Sequence, residues 1–312
     1  MRVFLGLNPS PPATAYAVIT QGAFDGIHRG HQKLIDRVNS VARQRNGTGI
    51  LVTFEPHPQR VIAPGTAPPL LTTREEKLLL LEATGLETVV ILPFNRELSD
   101  VEAEDFVRDV LVKTLGVKFL ILGHDHAFGL RRGGRPELLR KMAPELGFDL
   151  EIVEAVTDNG EAITSTLIRR VLTDGGVESA RVLLGRPYSL QGLVIKGDRR
   201  GINLGFPTAN LALRTLEKCV PGNGVYAVQS KVRDRIYGGA CSIGTRPTFT
   251  NDTQTVEVHI FDFDDDIYGE YIEVMFHARL RDEEAFTGPE ALRKQIENDV
   301  MEAKRILAQE GN

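Results

Sequence analysis

The ten residues from Gly22 to His31, which read Gly-Ala-Phe-Asp-Gly-Ile-His-Arg-Gly-His, constrain the fold of this chain most strongly. An apolar run at 15–20 precedes them and predicts a buried strand. After them, apolar residues recur at helical spacing from Leu34 to Ala42, and the pattern continues to about Arg45. The stretch is therefore predicted to be a turn that leads from a buried strand into a helix.

A turn of this kind suits an anionic ligand. Its glycines allow the backbone to approach a ligand closely, and the helix start offers free N–H groups at the positive end of the helix dipole. His28 and His31 are three residues apart, which on the first helical turn puts both rings on one side. Together these features favour a triphosphate.

Two other interpretations of the histidines remain open. They could be a pair of surface residues beside a turn, which is the usual explanation of an isolated His-x-x-His. They could also share a zinc ion, although no third ligand is evident in the same predicted helix. The strand–turn–helix context favours phosphate over both, because a short motif counts only in its structural context.

Strands and helices alternate along the first half of the chain, to about Leu172. The predicted strands after the first are at 50–54, 88–92 and 117–122. This alternation predicts a doubly wound, mostly parallel α/β sheet. Ligands of such sheets bind beyond the carboxyl ends of the strands, so the turns after Thr20, Phe54 and Leu122 belong to one crevice.

The pattern changes after Leu184, where alternation of apolar and polar residues replaces helical periodicity. Half-buried strands are predicted around 226–228, 236–237, 256–260 and 271–274, followed by a terminal helix that Pro289 opens. These elements predict a small antiparallel β-barrel with a C-terminal helix. We place the boundary at Leu184, which gives domains 1–184 and 185–312.

Two further runs are candidates for binding phosphate or metal. Thr164–Arg169 begins a helix with hydroxyl groups and an arginine, which suits a second phosphate clamp but also an ordinary capped surface helix. In Gly205–Asn210, Thr208 and Asn210 present two oxygen ligands on alternate positions of an extended segment. That arrangement suits Mg²⁺, and a turn that enters a strand would explain it equally well.

Composition narrows the class of partner. The chain has 37 basic and 42 acidic residues and a net charge of −5, which argues against nucleic acid as the main partner. No apolar run is long enough to span a bilayer, and residues 1–12 lack the pattern of a secretory signal. We therefore expect a cytoplasmic protein with no membrane partner.

Several motifs resemble those of one bacterial family. Gly22-x-Phe24-Asp25-Gly26-x-His28-x-Gly30-His31 resembles the signature of bifunctional riboflavin kinase/FMN adenylyltransferases, also called FAD synthetases. Thr53–Pro58, which reads Thr-Phe-Glu-Pro-His-Pro, matches another segment of that family. Thr164–Arg169 is similar to its Ser-Ser-Thr-x-Ile-Arg motif, with Thr164 in place of the first serine. The lysine-rich loop of class I aminoacyl-tRNA synthetases, which share the His-x-Gly-His motif, is absent, which favours a nucleotidyltransferase.

The resemblance implies an N-terminal domain that transfers AMP from ATP to FMN, giving FAD and pyrophosphate. His28 and His31 would be catalytic. The implied ATP and phosphate contacts are Gly22, Phe24, Asp25, Gly30, Ser165, Thr166 and Arg169. The implied flavin and nucleotide loop contributes Asp125, Phe128 and Gly129, while His126 and Ala127 replace the family's usual Phe and Arg.

For the C-terminal domain, the resemblance implies phosphorylation of riboflavin to FMN by ATP. Thr208 and Asn210 would hold Mg²⁺, and Glu257 would act as the general base on the ribityl hydroxyl. The further ATP and flavin contacts implied are Gly197, Gly201, Gly205, Pro207 and Arg281. Other motifs of the kinase module, at 244–248, 268–269 and 279–286, also match.

The implied partners are riboflavin, FMN, FAD and ATP, with no nucleic acid or membrane and with a monomer or weak homo-oligomer. One alternative is a single-activity FMN adenylyltransferase whose barrel binds flavin but is inactive. A second is an RNA-binding relative of the synthetases. The first alternative is disfavoured because the kinase residues Thr208, Asn210 and Glu257 are all present. The second is disfavoured because acidic residues outnumber basic ones.

Overall fold

The computed structural model describes residues 1–124, 128–130, 133–197, 205–247 and 252–310. The chain divides into two compact units, Met1–Ser165 and Thr166–Asn312. Asp125, His126, Ala127 and Gly201 lie outside the described residues, so their predicted roles stay predictions.

A six-stranded parallel sheet forms the first unit, with strand order β1-β4-β3-β2-β5-β6. This confirms the predicted doubly wound α/β sheet. The two edge strands, β1 and β6, were not predicted. In chain order the strands are β1 (Arg2–Leu5), β2 (Ala17–Gln21), β3 (Thr48–Glu55), β4 (Thr88–Pro93), β5 (Val117–Gly123) and β6 (Asp149–Val153). A two-stranded hairpin of β7 (Thr157–Asp158) and β8 (Glu161–Ala162) follows.

Helices connect the parallel strands. They are α1 (Arg29–Gln44), α2 (Pro58–Ile62), α3 (Arg74–Ala83), α4 (Arg96–Ser99), α5 (Ala103–Asp105) and α6 (Pro136–Leu146). A π-helical segment, Phe106–Thr114, continues directly from α5. A capping box starts α3, since Thr73 accepts from the backbone of Glu76 while the Glu76 carboxylate accepts from the backbone of Thr73. That cap fixes the entry to a helix that the candidate site uses.

Strand alternation divides the core of the first unit into two apolar clusters. Ala17 and Ile19 of β2 belong to one cluster together with Phe54 and Phe106. Val18 belongs to the other, which contains the inner face of α1. Successive side chains of a strand point to opposite faces, so each face of the sheet is buried by its own set of helices, as a doubly wound sheet requires.

A closed six-stranded barrel with strand order β10-β13-β12-β11-β14-β9 forms the second unit. The barrel and its terminal helix confirm the prediction. The elements are α7 (Ser165–Thr173), α8 (Val177–Leu184), β9 (Tyr188–Ile195), β10 (Ala209–Leu213), β11 (Gly224–Val232), β12 (Arg235–Pro247), β13 (Asp252–Ile260), β14 (Tyr271–Arg281) and α9 (Pro289–Glu310). Ala303 of α9 is buried against Ala227, Phe261 and Ala278 of the barrel unit.

The predicted domain boundary at Leu184 coincides with the last residue of α8, after which Gly185 adopts a left-handed conformation that ends the helix. The two compact units instead divide between Ser165 and Thr166. The functional boundary therefore stays a prediction. Across the described residues, no helix combines the length and the apolar character that a bilayer crossing requires.

Candidate active sites

The turn after β2 holds its backbone in rarely populated conformations. Phe24 has φ 48° and Ile27 has φ 40°, both in the left-handed region, and Gly26 between them has φ 86°. For a β-branched residue such as Ile27 this conformation is a genuine outlier. Phe24 and Ile27 are both buried, and such strained residues persist only where surrounding structure determines them. The turn must therefore be held firmly from outside.

Asp25 anchors this turn to the segment before α3. Its carboxylate is buried and accepts hydrogen bonds from the backbone nitrogens of Leu71 and Thr72, at 3.0 and 2.9 Å. The Thr72 hydroxyl donates to the same carboxylate and accepts from the backbone N–H of Gly26, both at 3.1 Å. Charge-assisted bonds of this kind are stronger than neutral ones. In the structure Asp25 holds the turn against Leu71 and Thr72, and its predicted contact with phosphate stays a prediction.

Lys77 of α3 holds the same turn at the Ala23 carbonyl, and the sequence analysis missed it. The Lys77 ammonium is buried and donates to Ala23 O at 2.9 Å, beside the Thr53 hydroxyl, which donates at 3.1 Å. Burial lowers the pKa of Lys77, while the Asp25 and Glu55 carboxylates act in the opposite direction. A cation is thus fixed beside the turn, close enough to lower the pKa of His31.

His28 and His31 are brought together at the start of α1, as the sequence predicts. His28 is the N-cap residue, and its Nδ1 accepts from the backbone nitrogen of His31 at 3.4 Å. The two rings stack with centroids 3.6 Å apart, and the His31 ring also contacts the Phe24 ring at 4.9 Å. A Cβ atom on Gly30 would lie 3.1 Å from two atoms of the His28 ring, so glycine makes room for the stack.

His31 carries little positive charge of its own. Burial lowers the pKa of His31 well below its usual range, and the nearby charges of His28 and Lys77 lower it further. His31 is therefore neutral at physiological pH. Its Nδ1 is buried and has no hydrogen-bond partner within the part of the chain that the structure describes. A neutral ring at a helix start offers a directed N–H donor to an anion rather than a fixed charge.

The remaining predicted phosphate contacts lie around this turn or follow it in the chain. Gly22, at the end of β2, donates its N–H to Val52 O at 3.0 Å. The Ser165 hydroxyl, at the end of the first unit, donates to the Asp25 carbonyl of the same unit at 2.9 Å. Thr166 is the next residue of α7, and Arg169 lies one turn further along that helix. Their contacts with phosphate stay predictions.

An aromatic cluster lies on the sheet face opposite α1. Phe54 packs against Phe106 with ring centroids 6.5 Å apart, and Phe106 packs edge-on against Phe128 at 5.6 Å. Gly129 follows with φ 70°, and a Cβ there would lie 2.8 Å from the Ala103 backbone, so only glycine fits. Phe54 and Phe106 are buried, so Phe128, which is half-buried, is the ring of this cluster that a flat ligand can contact.

In the barrel, the predicted metal ligands and base lie together. Asn210 of β10 is paired directly opposite Glu257 of β13, and the Thr208 hydroxyl is 3.4 Å from Glu257 Oε2. A Cβ atom on Gly197 would overlap the Asn210 carboxamide, so the glycine makes room for that ligand. Hydroxyl, amide and carboxylate oxygens are the ligands that Mg²⁺ prefers. The residues present therefore fit a magnesium ion.

A cavity of about 240 Å³ adjoins this cluster. Pro207 and Thr208 form one side of it, and the acidic turn 264–268 forms another. His259 fixes the Pro207 carbonyl through Nδ1 at 2.8 Å, and Gly205 before it has φ 85° in the turn that leads into this segment. The arrangement provides space for an organic ligand directly beside the predicted magnesium ligands.

Arg281, predicted to contact ATP or flavin, is engaged within the protein. Its guanidinium makes a bidentate ion pair with Asp299 of α9, with Nε–Oδ1 2.9 Å and Nη2–Oδ2 2.8 Å. Its Nη1 donates to the Asp282 carbonyl at 2.9 Å. Gln295 adds a further bond to Asp299. Arg281 thus joins β14 to the terminal helix, and its predicted ligand contact stays a prediction.

His28 and His31 are not part of a group of three or more possible metal ligands in the described residues. Over the described ranges, no group of three or more His, Cys, Asp or Glu side chains has the arrangement of a metal site.

Each unit nevertheless has a site suited to a phosphate-bearing ligand, one at a helix start and one beside an oxygen cluster. Together they define a two-domain phosphate-transferring enzyme.

Comparison with known proteins gives the family. The FAD synthetase family matches residues 10–167, and the riboflavin kinase family matches residues 184–307. The bifunctional riboflavin kinase/FMN adenylyltransferase of Escherichia coli (strain K12) is 38% identical over 309 residues, covering 98% of each chain. That of Bacillus subtilis (strain 168) is 37% identical over 300 residues, covering 94% of this chain and 93% of its own. This chain belongs to the family of bifunctional riboflavin kinase/FMN adenylyltransferases.

A solved structure shares the whole fold. The crystal structure of a protein from Streptococcus pneumoniae, titled a macrolide-efflux protein, superposes with a TM-score of 0.89 at 30% identity. The match covers 97% of this chain and 99% of the other. Both units therefore have a close structural counterpart in one known chain.

Proposed function

We propose that the barrel unit phosphorylates riboflavin to FMN with ATP, and that the parallel-sheet unit transfers AMP from a second ATP to FMN. The family supports both activities. The observation that carries the second assignment is the stacked pair of His28 and His31 at the start of α1, since rings at a helix start can donate hydrogen bonds to a triphosphate.

In the adenylyl transfer, an oxygen of the FMN phosphate attacks the α-phosphorus of ATP. The bond from that phosphorus to the bridging oxygen breaks, and pyrophosphate leaves with the electron pair. His28 and His31 would donate hydrogen bonds to phosphate oxygens as charge shifts toward the leaving group, an electrostatic role. Ser165, Thr166 and Arg169 would hold the other side of the triphosphate. The anchors Asp25 and Lys77 would keep the strained turn in its binding conformation.

In the kinase reaction, Thr208 and Asn210 would hold Mg²⁺, which neutralises phosphate charge when it is bound. Glu257, adjacent to both, would accept the proton of the ribityl hydroxyl as its oxygen attacks the γ-phosphorus of ATP. The bond from that phosphorus to the bridging oxygen breaks, and ADP leaves with the electron pair. The proximity of these three side chains disfavours the alternative of an inactive, merely flavin-binding barrel. The cavity beside Thr208 would take part of the nucleotide or the flavin.

We further propose that the enzyme acts in the cytoplasm on free flavins, as a monomer or weak homo-oligomer, with neither nucleic acid nor membrane as partner. The net charge of −5 supports the absence of a nucleic-acid partner, since binding to phosphate backbones relies on basic surface.

Isotopic labelling tests the two half-reactions separately. Purified protein is given riboflavin, Mg²⁺ and ATP labelled either at the γ- or at the α-phosphorus, and the flavins are separated by chromatography. We expect the γ-label in FMN and, carried over with the FMN phosphate, in FAD, whereas the α-label should appear in FAD alone. α-Label absent from every flavin would refute the adenylyl transfer, and γ-label absent from FMN would refute the kinase reaction.

A further inference from the structure

Gln21 is a buried side chain whose polar atoms are unused by the fold. It is the last residue of β2, an interior strand of the sheet, and 2% of its surface is exposed. Neither Nε2 nor Oε1 has a hydrogen-bond partner among the residues that the structure describes. Burying a carboxamide without partners is unfavourable, and such groups are rare in folded proteins. The Gln21 carboxamide is therefore available to bind a ligand.

Strand alternation places Gln21 on the aromatic face of the sheet. Ala17 and Ile19 belong to the cluster that contains Phe54 and Phe106, and Gln21 follows them at the same two-residue interval. Its direct neighbour in β3 is Val52, a member of the same cluster. The Gln21 side chain thus lies on one face of the sheet, and α1, with the histidine pair at its start, lies on the other.

The carboxyl edge of the sheet therefore has two chemically different sides. One side has the N-terminus of α1, which suits phosphates. The other has an apolar cluster in which Phe54 and Phe106 are buried and Phe128 is half-buried, so that Phe128 can contact a flat ring. Ligands of parallel sheets bind at this edge. If ATP directs its triphosphate to the first side, the aromatic side is left for the ring of the second substrate.

We propose that the Gln21 carboxamide binds the pyrimidine edge of the FMN ring, an inference that rests on the proposed adenylyl transfer. That edge presents one N–H donor, at N3, between two carbonyl acceptors, O2 and O4. Oε1 of Gln21 accepts from N3–H, and Nε2 donates to a neighbouring carbonyl, so both unused atoms gain partners at once. The side chain reaches the ligand by a change of rotamer toward the carboxyl edge of the sheet.

Adenine also presents a donor beside an acceptor, so the test must separate the two rings. The variant Gln21→Met keeps the size of the side chain and removes both polar atoms. The Michaelis constants for FMN, 3-methyl-FMN and ATP are measured in the adenylyl transfer, and riboflavin kinase activity and thermal unfolding report folding. Ser230→Ala is the matched control, because Ser230 is a buried residue of the barrel whose hydroxyl also lacks a partner in the described chain.

We expect Gln21→Met to raise the KM for FMN about tenfold, the size of effect that two lost hydrogen bonds produce. The KM for ATP and the kinase rate should not change, and the unfolding temperature should not fall. The wild-type enzyme should discriminate against 3-methyl-FMN, and the variant should not. Ser230→Ala should leave every constant unchanged.

An unchanged KM for FMN would overturn the inference. So would a change confined to the KM for ATP, which would assign Gln21 to adenine, or equal discrimination against 3-methyl-FMN by both proteins. If wild-type protein converts no FMN at all, the proposed function fails instead. Should Gln21→Met not fold, Gln21→Leu replaces it with the same expectations.

Discussion

His31 and His28 stack at 3.6 Å between ring centroids at the start of α1, with the Lys77 ammonium buried beside the same turn. Two imidazolium rings at this distance, next to a lysine, would repel one another strongly. The low pKa of His31 is the consequence of that arrangement together with burial. A neutral His31 offers an N–H donor without a fixed charge of its own, which suits the proposed phosphate contact.

The first prediction concerns the protonation of His31. Because burial and nearby positive charge lower its pKa, the ring should stay neutral as the pH falls through 6.5, the usual histidine value. The folded pKa of His31 lies below the unfolded one, so below about pH 6.5 the unfolded state binds more protons than the folded state. The free energy of unfolding therefore decreases as the pH falls below about 6.5, and above that pH the contribution of His31 is fully present. Proton NMR of the ring during a pH titration measures this directly. A midpoint near 6.5 in the folded protein would contradict it.

A second prediction follows from the charge of Lys77. Lys77→Met removes the positive charge that helps to lower the His31 pKa, so that pKa should rise. The variant also loses the hydrogen bond from Lys77 to the Ala23 carbonyl. Of the two donors to that carbonyl, Lys77 and Thr53, only the Thr53 hydroxyl then remains. We expect adenylyl transfer to fall at least about tenfold, a loss typical of a displaced positioning group, with kinase activity intact. Kinetics of the two half-reactions and NMR measure both effects, and Lys77→Arg should restore part of the rate. A rate equal to that of wild type would show that the turn does not need this anchor.

The third prediction uses Gly30. In Gly30→Ala the new Cβ would lie 3.1 Å from two atoms of the His28 ring, so the ring must shift by a few tenths of an ångström. We expect adenylyl transfer to fall about tenfold, since a displacement of about 1 Å can cost about 100-fold, while riboflavin is still phosphorylated. Gly65→Ala is the matched control, because a Cβ there has no neighbour within 4 Å. Equal rates for the two variants would mean that the geometry of the stack is unimportant.

The fourth prediction concerns the ion pair of Arg281 and Asp299. Both side chains are mostly buried, at 17% and 8% exposure. Asp299→Ala leaves the Arg281 charge without this partner and should destabilise the barrel unit by about 3–5 kcal/mol. Glu297→Ala, which breaks the exposed pair with Arg293 on the same helix, should cost less than about 1 kcal/mol. Thermal unfolding compares the two. Similar small losses for both would show that Arg281 is not held by Asp299.

The strongest sequence patterns predicted the fold well. Apolar runs gave the inner strands β2 to β5, since strands buried on both faces are continuously hydrophobic. The edge strands lacked that signal: Val3 and Leu5 of β1 are 41% and 61% exposed, and β6 is only half-buried. Pairing with one neighbour leaves an edge strand without an apolar pattern of its own.

The candidate site residues were predicted from short motifs, and their roles stay predictions. His28, His31 and Gly30 belong to one turn, whereas Asn210 and Glu257 come from two motifs that the barrel register pairs. Lys77 was missed, because a lysine in a helix is usually solvated and only packing shows it buried. Asp299 was missed because its importance depends on where α9 meets Arg281. The unused carboxamide of Gln21 is visible only once the burial of β2 is known.

Complementation between two single-site variants tests the central claim, that two separate sites act in sequence. His31→Ala should convert riboflavin to FMN and stop there. Asn210→Ala should leave riboflavin untouched but convert added FMN to FAD. When the two folded variants are mixed with riboflavin, ATP and Mg²⁺, chromatography should show FMN first and FAD after a lag. A mixture that accumulates FMN without FAD, although each variant is folded, would contradict the account.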